Sequence, residues 1–144
     1  MTNLINKEDS FFISGHKGMA GSAILRALKE NGYGDIKNGG EIFTQSRNEL
    51  DLTNTLDVKR WFENFKPNVI VIAAAKVGGI HANNTQRMDF VLENLKINMN
   101  ILEACVEKNN IAIINLGSSC IYPLNAENPI QETSIMNGKL EPTN

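Results

Sequence analysis

The sequence has little of what usually staples or punctuates a small protein: only two of its 144 residues are cysteine and four are proline. Cys105 and Cys120 allow at most one pairing, which excludes a disulfide framework as the source of stability. Long apolar runs are also missing. The longest, Val69 to Ala75, falls far short of the roughly 20 residues a membrane-spanning helix needs. Charge of one sign is not in excess, with 14 basic against 16 acidic residues and a net charge of −2. With no Lys/Arg-rich run, nothing draws the chain to nucleic acid or to an anionic membrane. Met1 to Ser10 is polar and has no secretory apolar stretch, so a cytoplasmic location is expected. His16, His81, Cys105 and Cys120 fit no metal-ligand spacing, and no metal is expected. No G-x-S-x-G occurs, which argues against an α/β-hydrolase.

The remaining composition is that of an ordinary globular protein, 42% hydrophobic and 21% charged. A chain of this length suggests one domain, large enough to bury roughly 70% of its unfolded surface. Short apolar runs alternate with helical periods. Phe11 to Ile13 reads as a strand. Ala20, Ala23, Ile24, Ala27 and Leu28 then share one helical face, which Asn31-Gly32 ends. Glu41 to Thr44 is a weaker strand. Val58, Trp61, Phe62 and Phe65 mark a second helix, with Asn54 as N-cap, Asp57 three residues on, and Lys66-Pro67-Asn68 as its stop. Val69 to Ala73 lacks polar alternation, as a strand covered on both faces does. Met88, Leu92, Leu95, Met99, Leu102 and Val106 trace a long helical stripe, and Ile111 to Leu116 is a fourth strand. The pattern predicts a doubly wound, parallel α/β sheet of the Rossmann kind. Four strands are fewer than the usual six, and Pro123 to Asn144 shows no clear period. The chain is therefore expected to be an incomplete dinucleotide-binding domain.

Gly15-His16-Lys17-Gly18-Met19-Ala20-Gly21 spells G-x-x-G-x-x-G between the first strand and the first helix. In a dinucleotide site the first glycine permits the turn, the second lets backbone approach the pyrophosphate, and the third packs helix on strand. Free N–H groups of the helix then face the phosphates. The same glycines would also serve an ordinary strand-to-helix turn; their position after a strand and before an amphipathic helix favours binding. The second strand runs into Thr44-Gln45-Ser46-Arg47 without the acid that holds an NAD ribose. Lys17 and Arg47 suit the 2′-phosphate of NADP(H), or are simply two solvated cations. Gly117-Ser118-Ser119-Cys120 follows the fourth strand, at the edge where ligands bind. A serine there suits a substrate carbonyl; a Ser-Ser pair also commonly caps a turn, and a cysteine is commonly a small buried residue. Ala73-Ala74-Ala75 would let a cofactor lie close to the backbone. The polar, glycine-bearing stretch from Lys76 to Asn84 is placed for substrate contacts, or is a solvated crossover.

These segments resemble the GDP-L-fucose synthase family of extended short-chain dehydrogenase/reductases. The likeness lies in Gly15 to Ile24, in Arg47-Asn48-Glu49-Leu50-Asp51-Leu52, in Ala73 to Ile80 with Ala82-Asn83-Asn84-Thr85, in Leu116 to Pro123, and in Leu140-Glu141-Pro142-Thr143-Asn144. It covers nearly all the chain after Ser10. The resemblance implies 3,5-epimerisation and NADPH-dependent 4-reduction of GDP-4-keto-6-deoxy-D-mannose. It implies pyrophosphate contacts at Gly15, His16, Lys17, Gly18, Met19, Ala20 and Gly21. It places Arg47, Asn48, Glu49, Leu50, Asp51 and Leu52 at the adenosine end, and Ala74, Leu116, Gly117 and Ser119 along the strand ends. Lys17 stands where the family usually has arginine, keeping the charge and losing the fork. Ser118 would hydrogen-bond the 4-keto oxygen and Cys120 would exchange protons beside it, given a lowered pKa. The family's Tyr-x-x-x-Lys pair, its epimerisation histidine and its substrate domain follow the Glu-Pro-Thr-Asn segment, so these 144 residues alone are expected to be inactive. Tyr122 is no substitute, with Ala126 four residues on. A homodimer through helices near the Met88 to Val106 segment and a later one would follow the superfamily's habit. Two other readings remain: another nucleotide-sugar 4-epimerase or dehydratase, which more often uses NAD, and a noncatalytic NADP-binding module.

Overall fold

The computed structural model describes residues 5–106 and 108–142. The order of elements is β1 (Ser10–Ser14), α1 (Met19–Glu30), β2 (Glu41–Phe43), α2 (Thr55–Phe65), β3 (Val69–Ile72), α3 (Ile80–Thr85), α4 (Arg87–Val106) and β4 (Ala112–Asn115). Thr143 and Asn144, the last residues of the family-like segment, lie outside the described residues.

The four strands form one parallel sheet in the order β2-β1-β3-β4. β1 and β3 are central. Their apolar runs, Phe11–Ile13 and Val69–Ile72, follow from burial on both faces. The chain steps from β1 outward to β2, then returns across to β3. The carboxyl ends of β1 and β3 therefore flank a topological switch point, the place where an open α/β sheet leaves a crevice.

One face of the sheet carries the main core. Phe12, Ile70 and Ile72 meet Val58, Trp61 and Phe62 of α2 and Ile97, Ile101 and Cys105 of α4. The aromatic rings interlock, with Phe12 tilted at 4.4 Å on Trp61 and edge-on to Phe62. Asn54 caps α2 by accepting from the N–H groups of Leu56 and Asp57. The helix stops where Lys66 turns left-handed, at φ 49°, ahead of Pro67. Both ends match the sequence reading. α1 covers the other face, where Ile24 and Leu28 approach Phe11 and Val71 across a shallow apolar groove.

α4 departs from the expected pattern. The stripe that reads most clearly in the sequence faces outward: Met88, Leu92, Leu95, Met99, Leu102 and Val106 are all exposed. The helix is anchored instead by Phe90, Ile97, Ile101 and Cys105. Its buried side is interrupted by polar residues with assigned tasks. Asn100, 6% exposed, donates to the Leu52 carbonyl and accepts from the Thr55 hydroxyl. Polar interruptions of this kind hide a core face from a count of apolar residues, while the outward stripe is unbroken. Among the described residues no helix is long and apolar enough to cross a membrane.

Candidate functional site

β1 ends at Ser14, whose hydroxyl donates to the Val71 carbonyl and ties the tips of β1 and β3 together. The chain then turns through Gly15 at φ 74°, a conformation that favours glycine. A Cβ on Gly15 would lie 2.6 Å from the Ala73 carbonyl oxygen, and one on Gly21 only 2.3 Å from the Gly15 oxygen. Turn, strand end and helix start thus meet backbone on backbone. Gly18 differs: a Cβ there would meet only the Gly15 oxygen, at 3.2 Å, and its outer side is open. Gly18 begins α1 without a side-chain cap, and the first turn of that helix has no acidic residue. Its leading N–H groups and partial positive charge are left for an external anion.

A cavity of about 580 Å³ opens in front of this loop, within the usual range for small-molecule sites. Gly15, His16, Lys17, Gly18, Met19 and Ala20 line it together with Arg47, Leu50, Asp51, Leu52 and Ala74. Within the loop, His16 has a buried Nδ1 with no protein partner. The glycine cradle, the uncapped helix start and this orphaned nitrogen fit a phosphate-bearing ligand. Gly21 reaches the site only as packing beneath the loop. Asn48 and Glu49 do not line the cavity.

The acids past β2 are engaged locally. Glu49 accepts from the Ser46 hydroxyl at 2.6 Å and the Ser46 N–H at 2.7 Å. Those two bonds hold its carboxyl below the usual value. Asp51 accepts from the Thr53 N–H and hydroxyl, with the same effect. Depressed values mean that this bracing of the loop is present above the usual carboxylate range and is lost as pH falls through the lowered values. Neither acid follows β2 directly, where an NAD ribose would be held.

A second, wider cavity adjoins the first. The two share Ala20, Ala73, Ala74, Ala75 and Val77 as a common wall. The second is lined further by Asn94, Asn98, Asn115, Leu116, Gly117, Ser118 and Cys120. Ser119 lines neither. Ser118 starts a 3-10 turn, and its Oγ accepts from the Cys120 N–H at 3.2 Å. That contact uses an acceptor site of the hydroxyl and leaves its proton to donate outward. Cys120 is exposed.

Sequence reasoning missed Glu93. Its carboxylate lies 3.0 Å from Arg47 Nη1 and 3.4 Å from Lys76 Nζ, beside the first cavity. On a helix it reads as one more solvated charge; only the tertiary fold brings two cations to it. Tyr33 and Lys37 also have Tyr-x-x-x-Lys spacing. They lie between α1 and β2, at the opposite end of the strands, where Tyr33 stands edge-on to Phe11. They take no part in the site. Among the described residues no group of three or more His, Cys, Asp or Glu could hold a metal ion.

The profile of the NAD dependent epimerase/dehydratase family matches residues 11–144. This chain belongs to that family. It is 42% identical over its whole length to GDP-L-fucose synthase 1 of Arabidopsis thaliana, covering 43% of that protein. It is 43% identical to the GDP-L-fucose synthase of Escherichia coli (strain K12), over 92% of this chain and 40% of the relative. A GDP-D-glycero-L-gluco-heptose synthase from Campylobacter jejuni, solved in the presence of NADPH, superposes with a TM-score of 0.84 at 34% identity; the match covers 96% of this chain and 39% of that one. The chain spans about 40% of the length of these relatives. In the epimerase/dehydratase fold the cavities described here lie at the carboxyl edge of the sheet, where a dinucleotide-binding crevice belongs.

The two cysteines differ in a measurable way. Burial pushes the Cys105 thiol above its usual pKa, and it is 7% exposed; Cys120 is open to solvent. Brief iodoacetamide treatment of the folded protein at neutral pH, read by peptide mass spectrometry, is expected to label Cys120 and spare Cys105. Equal labelling of both would contradict this packing.

Proposed function

We propose that this chain is the N-terminal part of the NADP-binding domain of a GDP-L-fucose synthase, which epimerises GDP-4-keto-6-deoxy-D-mannose at C3 and C5 and reduces it at C4. The observation that carries the reading is the junction of an uncapped glycine-loop helix with a strand-end wall that bears Ser118 and Cys120. The names of the relatives support the GDP-sugar class. NADPH supplies a hydride when bound. The chain's own residues do the rest of what is proposed here. The Gly15–Gly21 loop holds pyrophosphate on backbone N–H groups. Lys17 and Arg47 answer the 2′-phosphate, while the acids that would favour a free ribose are tied to Ser46 and Thr53. Ala73 to Ala75 let the ring system lie against backbone. The Ser118 hydroxyl donates to the keto oxygen and withdraws charge from the carbonyl, which acidifies the C–H bonds on either side. Cys120, as thiolate, takes a proton from such a carbon; epimerisation is complete when a second acid returns a proton to the opposite face. That acid, and the tyrosine that would protonate the C4 oxygen, correspond to family positions not present among these 144 residues. The two unpaired cysteines fit a cytoplasmic setting.

The test is turnover of the keto-sugar by the full-length protein in deuterated water. Wild type is expected to consume NADPH and to place deuterium at C3 and C5. Cys120→Ala is expected to bind NADPH normally and lose that exchange. Exchange at the wild-type rate in the variant would remove Cys120 from the mechanism.

We also infer that the protein is a homodimer through α4, because the outward Leu92, Leu95, Met99 and Leu102 form a stripe of the kind that buries itself against a second helix. Sedimentation of the full-length protein should give a dimer. Leu92→Glu with Met99→Lys should give a monomer, and a variant that remained dimeric would move the interface elsewhere.

A further inference from the structure

Arg47 is the most exposed member of the cluster at the adenosine end, with 69% of its side chain open, whereas Glu93 is 22% exposed. The two are not equivalent partners. Glu93 stands on α4 and is fixed from its other side by Lys76, itself 28% exposed. Lys76 is held in turn. Its ammonium lies 5.5 Å over the Phe90 ring. Its backbone N–H donates to the Asn94 Oδ1 at 2.7 Å, and its carbonyl accepts from the Asn94 Nδ2 at 3.0 Å. Contacts from Phe90 and Asn94, one helical turn apart, thus hold Lys76 against Glu93, and that carboxylate reaches a single nitrogen, Nη1, of the exposed arginine. The rest of the guanidinium fork stays available for bidentate contact with a phosphate.

We propose that Glu93 is a positioning residue for cofactor selection: it holds Arg47 at the mouth of the first cavity with its fork presented to the 2′-phosphate of NADP(H). The inference rests on the NADP reading given above. Two effects oppose each other in it. Glu93 brings a negative charge near a phosphate, which weakens binding. It also removes the rotamer freedom that a free arginine would have to surrender on binding. The first effect is blunted because each carboxylate oxygen already faces a cation, Arg47 on one and Lys76 on the other. The tether therefore prevails, and its effect falls on NADPH and not on NADH, which has no 2′-phosphate to present.

The experiment is calorimetric titration of NADPH and of NADH into the full-length protein, its Glu93→Gln and Glu93→Asp variants, Arg47→Ala, and the Arg47→Ala/Glu93→Gln double variant. Glu93→Gln is expected to weaken NADPH by about three- to fivefold, the scale of one exposed ion pair, with NADH unchanged. Glu93→Asp, which keeps the charge on a shorter arm, is expected to fall between. In the Arg47→Ala background the Glu93 change is expected to have no effect on the NADPH-to-NADH ratio, since the residue it positions is gone. Tighter NADPH binding in Glu93→Gln, an equal loss for both cofactors, or an undiminished effect without Arg47 would each overturn the proposal. A wild type that binds NADH as well as NADPH would instead overturn the NADP reading on which it rests.

Discussion

The site depends on one close approach: the Gly15 α-carbon meets the Ala73–Ala74 backbone at the tips of β1 and β3, and Gly21 at the start of α1 is pressed on the Gly15 carbonyl. Side chains are excluded from this junction at Gly15 and Gly21, where a Cβ would sit 2.6 Å and 2.3 Å from a backbone oxygen. Because strands, turn and helix are locked by backbone contact, the leading N–H groups of α1 are aimed without any help from side chains. A ligand that uses them meets donors already in place and loses little to reorganisation. The same junction sets the floor shared by the two cavities, so the position of the cofactor and the position of Ser118 and Cys120 are not independent.

α4 supplies the other constraint. Its inward side carries Glu93, Asn94 and Asn100, which reach three separate segments: Arg47 beyond β2, the backbone of Lys76 beyond β3, and Leu52 with Thr55 at the head of α2. Loops of this kind usually move more than the elements they join. Here two of them are braced by one long helix that is itself seated in the core through Ile97, Ile101 and Cys105. The adenosine end of the cavity is thereby held by polar side chains that never need to touch the ligand. The outward side of the same helix is apolar.

Much of this was readable in the residues. The glycine spacing, the uninterrupted Val69–Ile72 run, the Asn54 cap and the Lys66-Pro67 stop are local signals, and local chemistry determines them. The four-strand parallel sheet follows from their alternation. What could not be read locally is which face of α4 turns inward, since both are apolar and only the sheet beneath decides. The Arg47–Glu93–Lys76 cluster was hidden for the same reason: its members lie on three elements and meet only after packing. Leu50, Asp51 and Leu52 do line the cavity, while Asn48 is exposed away from it and Glu49 bonds back to Ser46, a distinction invisible in a motif read as a block. Ser119 is passed over because the 3-10 turn points its neighbours Ser118 and Cys120 to the cavity.

The most direct measurement is NADPH titration of the full-length protein carrying Gly18→Val. Gly18 has an ordinary backbone conformation, a neighbour only at 3.2 Å, and an open outer side, so the added side chain intrudes chiefly on whatever rests against the loop. NADPH binding is expected to disappear from a protein that stays folded, its thermal midpoint lowered only by the tight contact of the new side chain with the Gly15 oxygen. Wild-type affinity in that variant would show that the phosphates do not lie on this turn.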